Sequence, residues 1–261
     1  MEIIDLTPQH YHTYFHCLEE WSDDIKEAGD HKSQWFFKQK DKGLRVKLAV
    51  VDGNVCGMIQ YLPVEHSTIQ GDNLYFITCI WVHGHKQGIG NYQGKGIGKA
   101  LLQAAEKDVR SMGKAGIASW GLSMPFWMKA SWYKKQGYKK VDKDGIAVLL
   151  WKPFTEGAIA PQWIKLKKQP QKQDGKVTVT AFINGWCPAQ NMVFERAKRA
   201  SGEFGEWVEF QSIDTSDRKT FAEWGLSDAL FIDGKSVRTG PPPSYEKLKK
   251  KIGKRVKKIA H

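Results

Sequence analysis

Gln93-Gly94-Lys95-Gly96-Ile97-Gly98-Lys99 lies between an apolar, strand-like run and an amphipathic, helix-like one. Glycines in such a loop let the backbone come close to an anion. The helix that starts there aims unpaired N–H groups and the positive end of its dipole at the same point, so phosphate binding is the chemistry expected. Two familiar glycine patterns fail on the letters. A P-loop needs a glycine separated by four residues from its Gly-Lys pair and Ser or Thr after it, and those places hold Gln93 and Ala100. The dinucleotide pattern G-x-G-x-x-G begins at Gly94 and Gly96 but ends on Lys99. A second candidate is Trp186-Cys187-Pro188, between a strand-like run and a helix, where the helix dipole favours a thiolate on Cys187. His83 and His85 are two nitrogen ligands without a third partner nearby, so no metal is expected.

These residues need elements to hold them. Residues 2–6 read as a strand, 8–20 and 32–40 as helices, and 45–51 and 55–62 as a hairpin across Asp52-Gly53-Asn54. In 73–83, Tyr75, Ile77, Cys79 and Trp81 alternate with Phe76, Thr78, Ile80 and Val82, which predicts a strand buried on both faces. After the glycine loop, 97–112 reads as a helix ended by Gly113, followed by a strand at 115–120, a helix at 125–136 and strands at 138–141 and 146–151. Residues 153–175 lose periodicity and read as a linker. Beyond them the order is strand 177–183, helix 189–200, strand 207–213, helix 219–224, strands 230–233 and 236–238, and a basic terminal helix.

The pattern Q-x-x-G-x-G at Gln93, Gly96 and Gly98 resembles the R/Q-x-x-G-x-G/A signature of the GNAT superfamily of acyl-CoA N-acyltransferases, and the element order over 1–153 is similar to that fold. The resemblance implies an α/β (α+β) protein with a mixed sheet flanked by helices, and acetyl-CoA as co-substrate. It implies that the backbone of Gln93, Gly94, Lys95, Gly96, Ile97, Gly98 and Lys99 holds the coenzyme A pyrophosphate, and that Ile80, Trp81 and Val82, on a strand splayed from its neighbour, bind pantetheine and polarise the thioester carbonyl. Tyr133-Lys134-Lys135-Gln136-Gly137-Tyr138 resembles the family's Y-x-x-x-G-F/Y, which makes Tyr133 the candidate proton donor to the leaving thiolate. An asparagine common seven residues before this tyrosine is here Phe126. For the general base, His83 is the candidate, since histidine is the side-chain type able to exchange a proton near neutral pH, and Glu65 is a poorer option. Residues 176–261 resemble a small thioredoxin-like domain of the kind joined to a GNAT domain in YoaP-type proteins. In that setting Cys187 is the candidate reactive thiol, Gln190 stands where a resolving cysteine is expected, and Ser227-Asp228-Ala229 replaces the usual facing proline.

The formal net charge of +12 is concentrated at residues 165–176 and 247–258. The lysines of the second stretch form the solvated side of a helix whose Leu248, Ile252, Val256 and Ile259 share a face, and no nucleic-acid-binding fold accompanies them. A nucleic-acid partner is therefore not expected. No long apolar run or signal-peptide plan occurs, so the expectation is a cytoplasmic protein with reduced Cys17, Cys56, Cys79 and Cys187. The function expected is acetyl transfer to a primary amine, on a small molecule or a protein, by direct attack in a ternary complex. The alternatives are a thiol-dependent redox enzyme using Cys187 and a non-enzymatic protein that binds coenzyme A or nucleic acid.

Overall fold

A computed structural model describes residues 1–124 and 128–259. Asp52 and Gly53 both take left-handed φ values, 49° and 79°, the condition for a tight hairpin turn. Across it β2 (Arg45–Val51) pairs antiparallel with β3 (Asn54–Pro63). They belong to a seven-stranded sheet with β1 (Glu2–Asp5), β5 (Leu74–Val82), β6 (Gly116–Leu122), β7 (Lys139–Asp144) and β8 (Ala147–Pro153), in the order β1-β2-β3-β5-β6-β8-β7. Only β5 and β6 are parallel, because the helix between them, α4 (Ile97–Ser111), makes the crossover that a parallel pair requires. Ile97, Leu101, Leu102, Ala105 and Val109 of α4 are buried on the sheet. Gly57 of β3 allows this close packing, since a Cβ there would lie 2.9 Å from the Ile97 side chain.

The chain forms two compact units, residues 1–21 with 36–164, and residues 22–35 with 165–261. In the first unit the helix expected at 8–20 is shorter. A 3-10 turn at Pro8–His10 leads into α1 (Tyr11–Phe15), which ends because Cys17 and Leu18 adopt φ values of 52° and 65°, outside the helical region. The stretch read as a linker contains β9 (Gln162–Trp163), which pairs with β4 (Ile69–Gln70). Of the N-terminal aromatics, Tyr14, Trp35 and Phe36 are buried, whereas Trp21 and Phe37 are 37% and 48% exposed.

The second unit has a four-stranded sheet in the order β11-β10-β12-β13, formed by β10 (Val177–Ile183), β11 (Val208–Asp214), β12 (Ala229–Ile232) and β13 (Lys235–Val237). β10 is parallel to β11 and antiparallel to β12. Its helices include α2 (Asp23–Lys26), α6 (Pro188–Gly202), α7 (Arg218–Trp224) and α8 (Tyr245–Val256); α3 (His31–Gln39) carries the chain from the second unit into the first. α8 buries Leu248, Ile252 and Val256, leaving its lysines outward as the sequence pattern required. The buried Arg196 of α6 donates to Asp24 and Glu27, so a charge taken out of water is matched by two carboxylates. Glu27 is correspondingly held below the usual carboxylate range, chiefly by its hydrogen bond from Arg196.

Candidate active site

The site begins with an irregularity in β5. Pairing with β3 runs Gln60↔Cys79 and then Tyr61↔Ile77, so Thr78 is an extra residue in the strand. A bulge of this kind bends and twists the strand that carries it. Pairing of β5 with β6 accordingly stops at Ile77↔Ser119, and among the described residues the segment Thr78–Val82 runs on with no strand beside it on that side. Thr78 is fixed there by side chains. Trp120 Nε1 donates to its carbonyl (2.8 Å), and Gln60 Nε2 donates to its hydroxyl (2.8 Å) while accepting from the Tyr14 hydroxyl (2.8 Å).

Backbone direction alternates along a strand, and this assigns the free groups. The His83 N–H donates to Cys56 of β3, so Val82 faces the other way, and its carbonyl accepts from Gln93 Nε2 at 3.3 Å. Val82 and Ile80 therefore turn their N–H groups to the open side, and Trp81 turns its own to β3. Side chains alternate as well: Ile80 and Val82 pack with the core under α4, and Trp81 lies on the opposite face.

α4 starts at the mouth of this gap. Gly96 is its N-cap with φ 80°, no side chain caps the helix, and its first turn has no acidic residue, so its leading N–H groups are available to an anion. Cβ positions at Gly94 and Gly96 would meet nothing within 4 Å among the described residues, so these leave room beside the loop. Lys95 and Lys99 are exposed around it, with Lys95 Nζ 4.6 Å from the Tyr92 ring centre. Gln93 differs from its neighbours in what it touches: its side chain reaches back to β5 and lies over Gly84, where a Cβ would come within 2.3 Å of Nε2. It ties the loop to the strand.

On the far wall is α5 (Ala130–Lys135), held against β6 because Gly121 has no side chain; a Cβ there would be 2.7 Å from the Met128 carbonyl and 2.8 Å from the Ala130 backbone. Tyr133 on α5 is fully buried, and its hydroxyl makes no hydrogen bond of normal geometry, Ser119 being the hydroxyl it faces. Burial pushes its pKa well above the usual tyrosine value, so the phenol keeps its proton through neutral pH. Of the helix expected at 125–136, Met128 and Lys129 precede the first turn of α5, and Pro125, Phe126 and Trp127 lie outside the described residues.

One cavity of about 580 Å³ collects these groups, lined by Ile80, Trp81, Val82, Gln93, Gly94, Gly96, Ile97, Gly98, Lys99 and Tyr133 of the expected set. Tyr92, Met128, Lys129 and Trp132 also line it and were not singled out by sequence. No motif marks Lys129, but Trp132 carries one signal, an aromatic one position before the tyrosine pattern. Lys95 and His83 are not in the lining. His83 is fully buried; Trp21 Nε1 donates to its Nε2 (3.1 Å), so Nδ1 carries the hydrogen and donates to the Gly90 carbonyl (2.7 Å). Its carbonyl also accepts from the Tyr92 N–H, which makes His83 the anchor of the 83–92 loop. Glu65 is in a 3-10 turn at Val64–His66, outside the cavity lining.

In the second unit Cys187 is the N-cap of α6 with Pro188 as the first helical residue, and the N–H groups of Gln190 and Asn191 donate to its carbonyl. None of the four cysteines is in a disulfide. Nearby, Asp228 accepts from the Asn184 N–H (2.9 Å) and the Ser227 hydroxyl (2.9 Å). Its side chain keeps some exposure, but the carboxyl itself is covered, and this burial raises its pKa to about 6 despite the two donors. The folded state thus holds a proton on Asp228 that the unfolded chain releases. This group stabilises fully below the ordinary carboxylate pKa of about 4 and loses its contribution as pH rises through about 6, on the order of 3 kcal/mol. Asp228→Asn is expected to remove this decline in urea unfolding measured across the range; an unchanged slope would contradict it.

Among the described residues no group of three His, Cys, Asp or Glu side chains is placed to hold a metal ion, and no helix is long and apolar enough to cross a membrane. Three solved structures are among those with some similarity to the chain. A PaiA N-acetyltransferase from Thermoplasma acidophilum in complex with coenzyme A is 18% identical, with 59% of this chain and 98% of that one covered at a TM-score of 0.44. A GNAT-family acetyltransferase from Brucella melitensis in complex with acetyl-CoA is also 18% identical, with 62% and 92% covered and a TM-score of 0.41. A ribosomal-protein-alanine N-acetyltransferase from Brucella melitensis is 15% identical, with 59% and 100% covered and a TM-score of 0.45. No curated protein matches the sequence. The model of the Acetyltransferase (GNAT) family matches residues 7–138, just over half of the 261 residues and the span that holds the bulged strand, the glycine loop and Tyr133, and the chain belongs to that family.

Proposed function

We propose that the protein is an acetyl-CoA-dependent N-acetyltransferase that moves the acetyl group to a primary amine by direct attack within a ternary complex. The observation that carries this reading is the convergence, in one cavity, of an uncapped helix N-terminus, a splayed strand with free amides and a buried tyrosine whose hydroxyl has no hydrogen bond of normal geometry. The donor set suits the group: N–H donors at Gly96–Lys99 face the pyrophosphate, exposed Lys95, Lys99 and Lys129 lie around them, and the gap beside β5 takes an extended pantetheine arm. The N–H of Ile80 or Val82 is the candidate donor to the thioester oxygen, fixed in direction by the strand. Tyr133 supplies the proton for the departing sulfur. Isothermal titration with acetyl-CoA is expected to give micromolar-range binding; no heat at millimolar ligand would end this reading.

The second unit is read as a thioredoxin-like domain, supported by its strand order and by Cys187 at the head of α6. With Gln190 in place of a resolving cysteine, a dithiol cycle within this turn has no second sulfur. If Cys187 is structural, iodoacetamide labels it slowly in mildly acidic buffer; fast labelling there would favour thiol chemistry instead. A cytoplasmic setting is part of the same reading, consistent with four cysteines outside any disulfide.

A further inference from the structure

The face of β5 away from α4 carries a cluster of rings beside the donor site. Trp81 points to that face, and the 83–92 loop folds back beside it. The loop passes so close to Trp21 that a Cβ at Gly88 would lie 2.3 Å from the indole. Three rings then surround His85: Trp21 at 5.3 Å, His83 at 5.7 Å and Trp81 at 6.2 Å between ring centres. His85 Nε2 is 3.3 Å from a carboxylate oxygen of Glu19, whose side chain is only 18% exposed, while that of His85 is 43% exposed. The two histidines are thus in opposite conditions. Both nitrogens of His83 are committed, so taking up a proton would cost it the Trp21 bond. In His85 the carboxylate at ion-pair distance favours hydrogen on Nε2, which leaves Nδ1 as the accepting lone pair.

The geometry points to His85 as the general base, with Glu19 as its positioning residue and the Trp21 and Trp81 rings as the surface that receives a cationic alkylamine. This rests on the acetyl-donor reading above, because Trp81 also lines the donor cavity. His85 Nδ1 takes a proton from the ammonium, freeing the nitrogen pair to attack the thioester carbon. The C–N bond forms, the C–S bond breaks with its electron pair going to sulfur, and Tyr133 protonates that sulfur. The nitrogen's second proton and the proton on His85 leave to bulk water, and Tyr133 takes a proton back from water once coenzyme A has left the cavity that it lines. The charged or titratable groups that face His85 are Glu19 and His83, with Lys86 next in the chain; the carboxylate supports the imidazolium. The aromatic walls attract the ammonium through their π faces.

The test uses the full chain, acetyl-CoA and two small nucleophiles. Propylamine is protonated near neutral pH and needs a base, whereas hydroxylamine is largely unprotonated there and does not. In H85Q, and less severely in E19Q, the ratio of propylamine to hydroxylamine turnover is expected to fall by about 100-fold, with the acidic limb of the propylamine pH profile lost in H85Q. Calorimetric acetyl-CoA binding is measured on the same samples and reports on folding and on the donor reading separately. An unchanged ratio and profile in H85Q, or no transfer to propylamine by the wild-type protein at any pH, overturns the assignment while the donor reading stands if acetyl-CoA binds. Failure of the wild-type protein to bind acetyl-CoA overturns both.

Discussion

Gly96→Asp is expected to abolish acetyl-CoA binding, with at least about a 100-fold loss of affinity by isothermal titration. Two effects act together. Gly96 has φ 80°, where a side chain costs about 1–2 kcal/mol, so the new residue strains the turn or shifts it. The second is charge. The carboxylate would sit at the helix N-cap, where it can accept from the leading N–H groups of α4 and so satisfies the donors that an incoming pyrophosphate needs. The free protein should therefore keep its fold while its affinity disappears, and circular dichroism alongside the titration separates the two. Gly98→Ala is the milder companion: a Cβ there would be 3.5 Å from Trp132, an ordinary contact, so only close approach of a ligand would be affected. Near-normal binding by Gly96→Asp would remove the pyrophosphate from this loop.

Tyr133→Phe is expected to lower kcat by about 100-fold with little change in KM for acetyl-CoA, and at the same time to leave stability unchanged or raise it by about 1 kcal/mol. The gain follows because the hydroxyl is buried without a normally formed hydrogen bond, so its removal relieves a desolvated polar group and leaves a ring of the same shape in contact with Trp132 and Tyr138. A purely structural tyrosine would give a different result, with turnover intact. Full turnover in this variant, measured as thiol release with a primary amine, would withdraw the proton-donor role. The pH profile adds a check. Burial keeps the phenol protonated beyond neutral pH, so any titration of activity near neutrality belongs to another group.

What the sequence made legible followed from periodicity and from glycine. The alternation across 73–83, the turn at Asp52-Gly53 and the loop before α4 were readable because each depends on local backbone rules. The bulge at Thr78 was not, since it depends on how many residues of β3 face how many of β5, and a single strand contains no record of its partner. Gln60 was the available sign: a polar residue within the otherwise apolar run Gly57–Leu62, fully buried and spent on Thr78 and Tyr14. His83 and His85 looked alike as letters. Their difference comes from Trp21 and Glu19, more than 60 residues earlier in the chain, which are brought beside them only after the N-terminal segment has folded. Likewise, the early end of α1 at Phe15 reflects the left-handed turn at Cys17 and Leu18, two residue types that carry no preference for it.

The early end of the β5–β6 ladder separates two kinds of inheritance. On the proposed reading, the donor contacts of Ile80 and Val82 come from main-chain atoms, which any substitution other than proline preserves so long as the register holds. The opposite face is written in side chains, Trp81 and His85 with Trp21 and Glu19. A lineage built on this strand can thus change the amine it accepts by ordinary point mutation while its use of the acyl donor stays fixed in the topology.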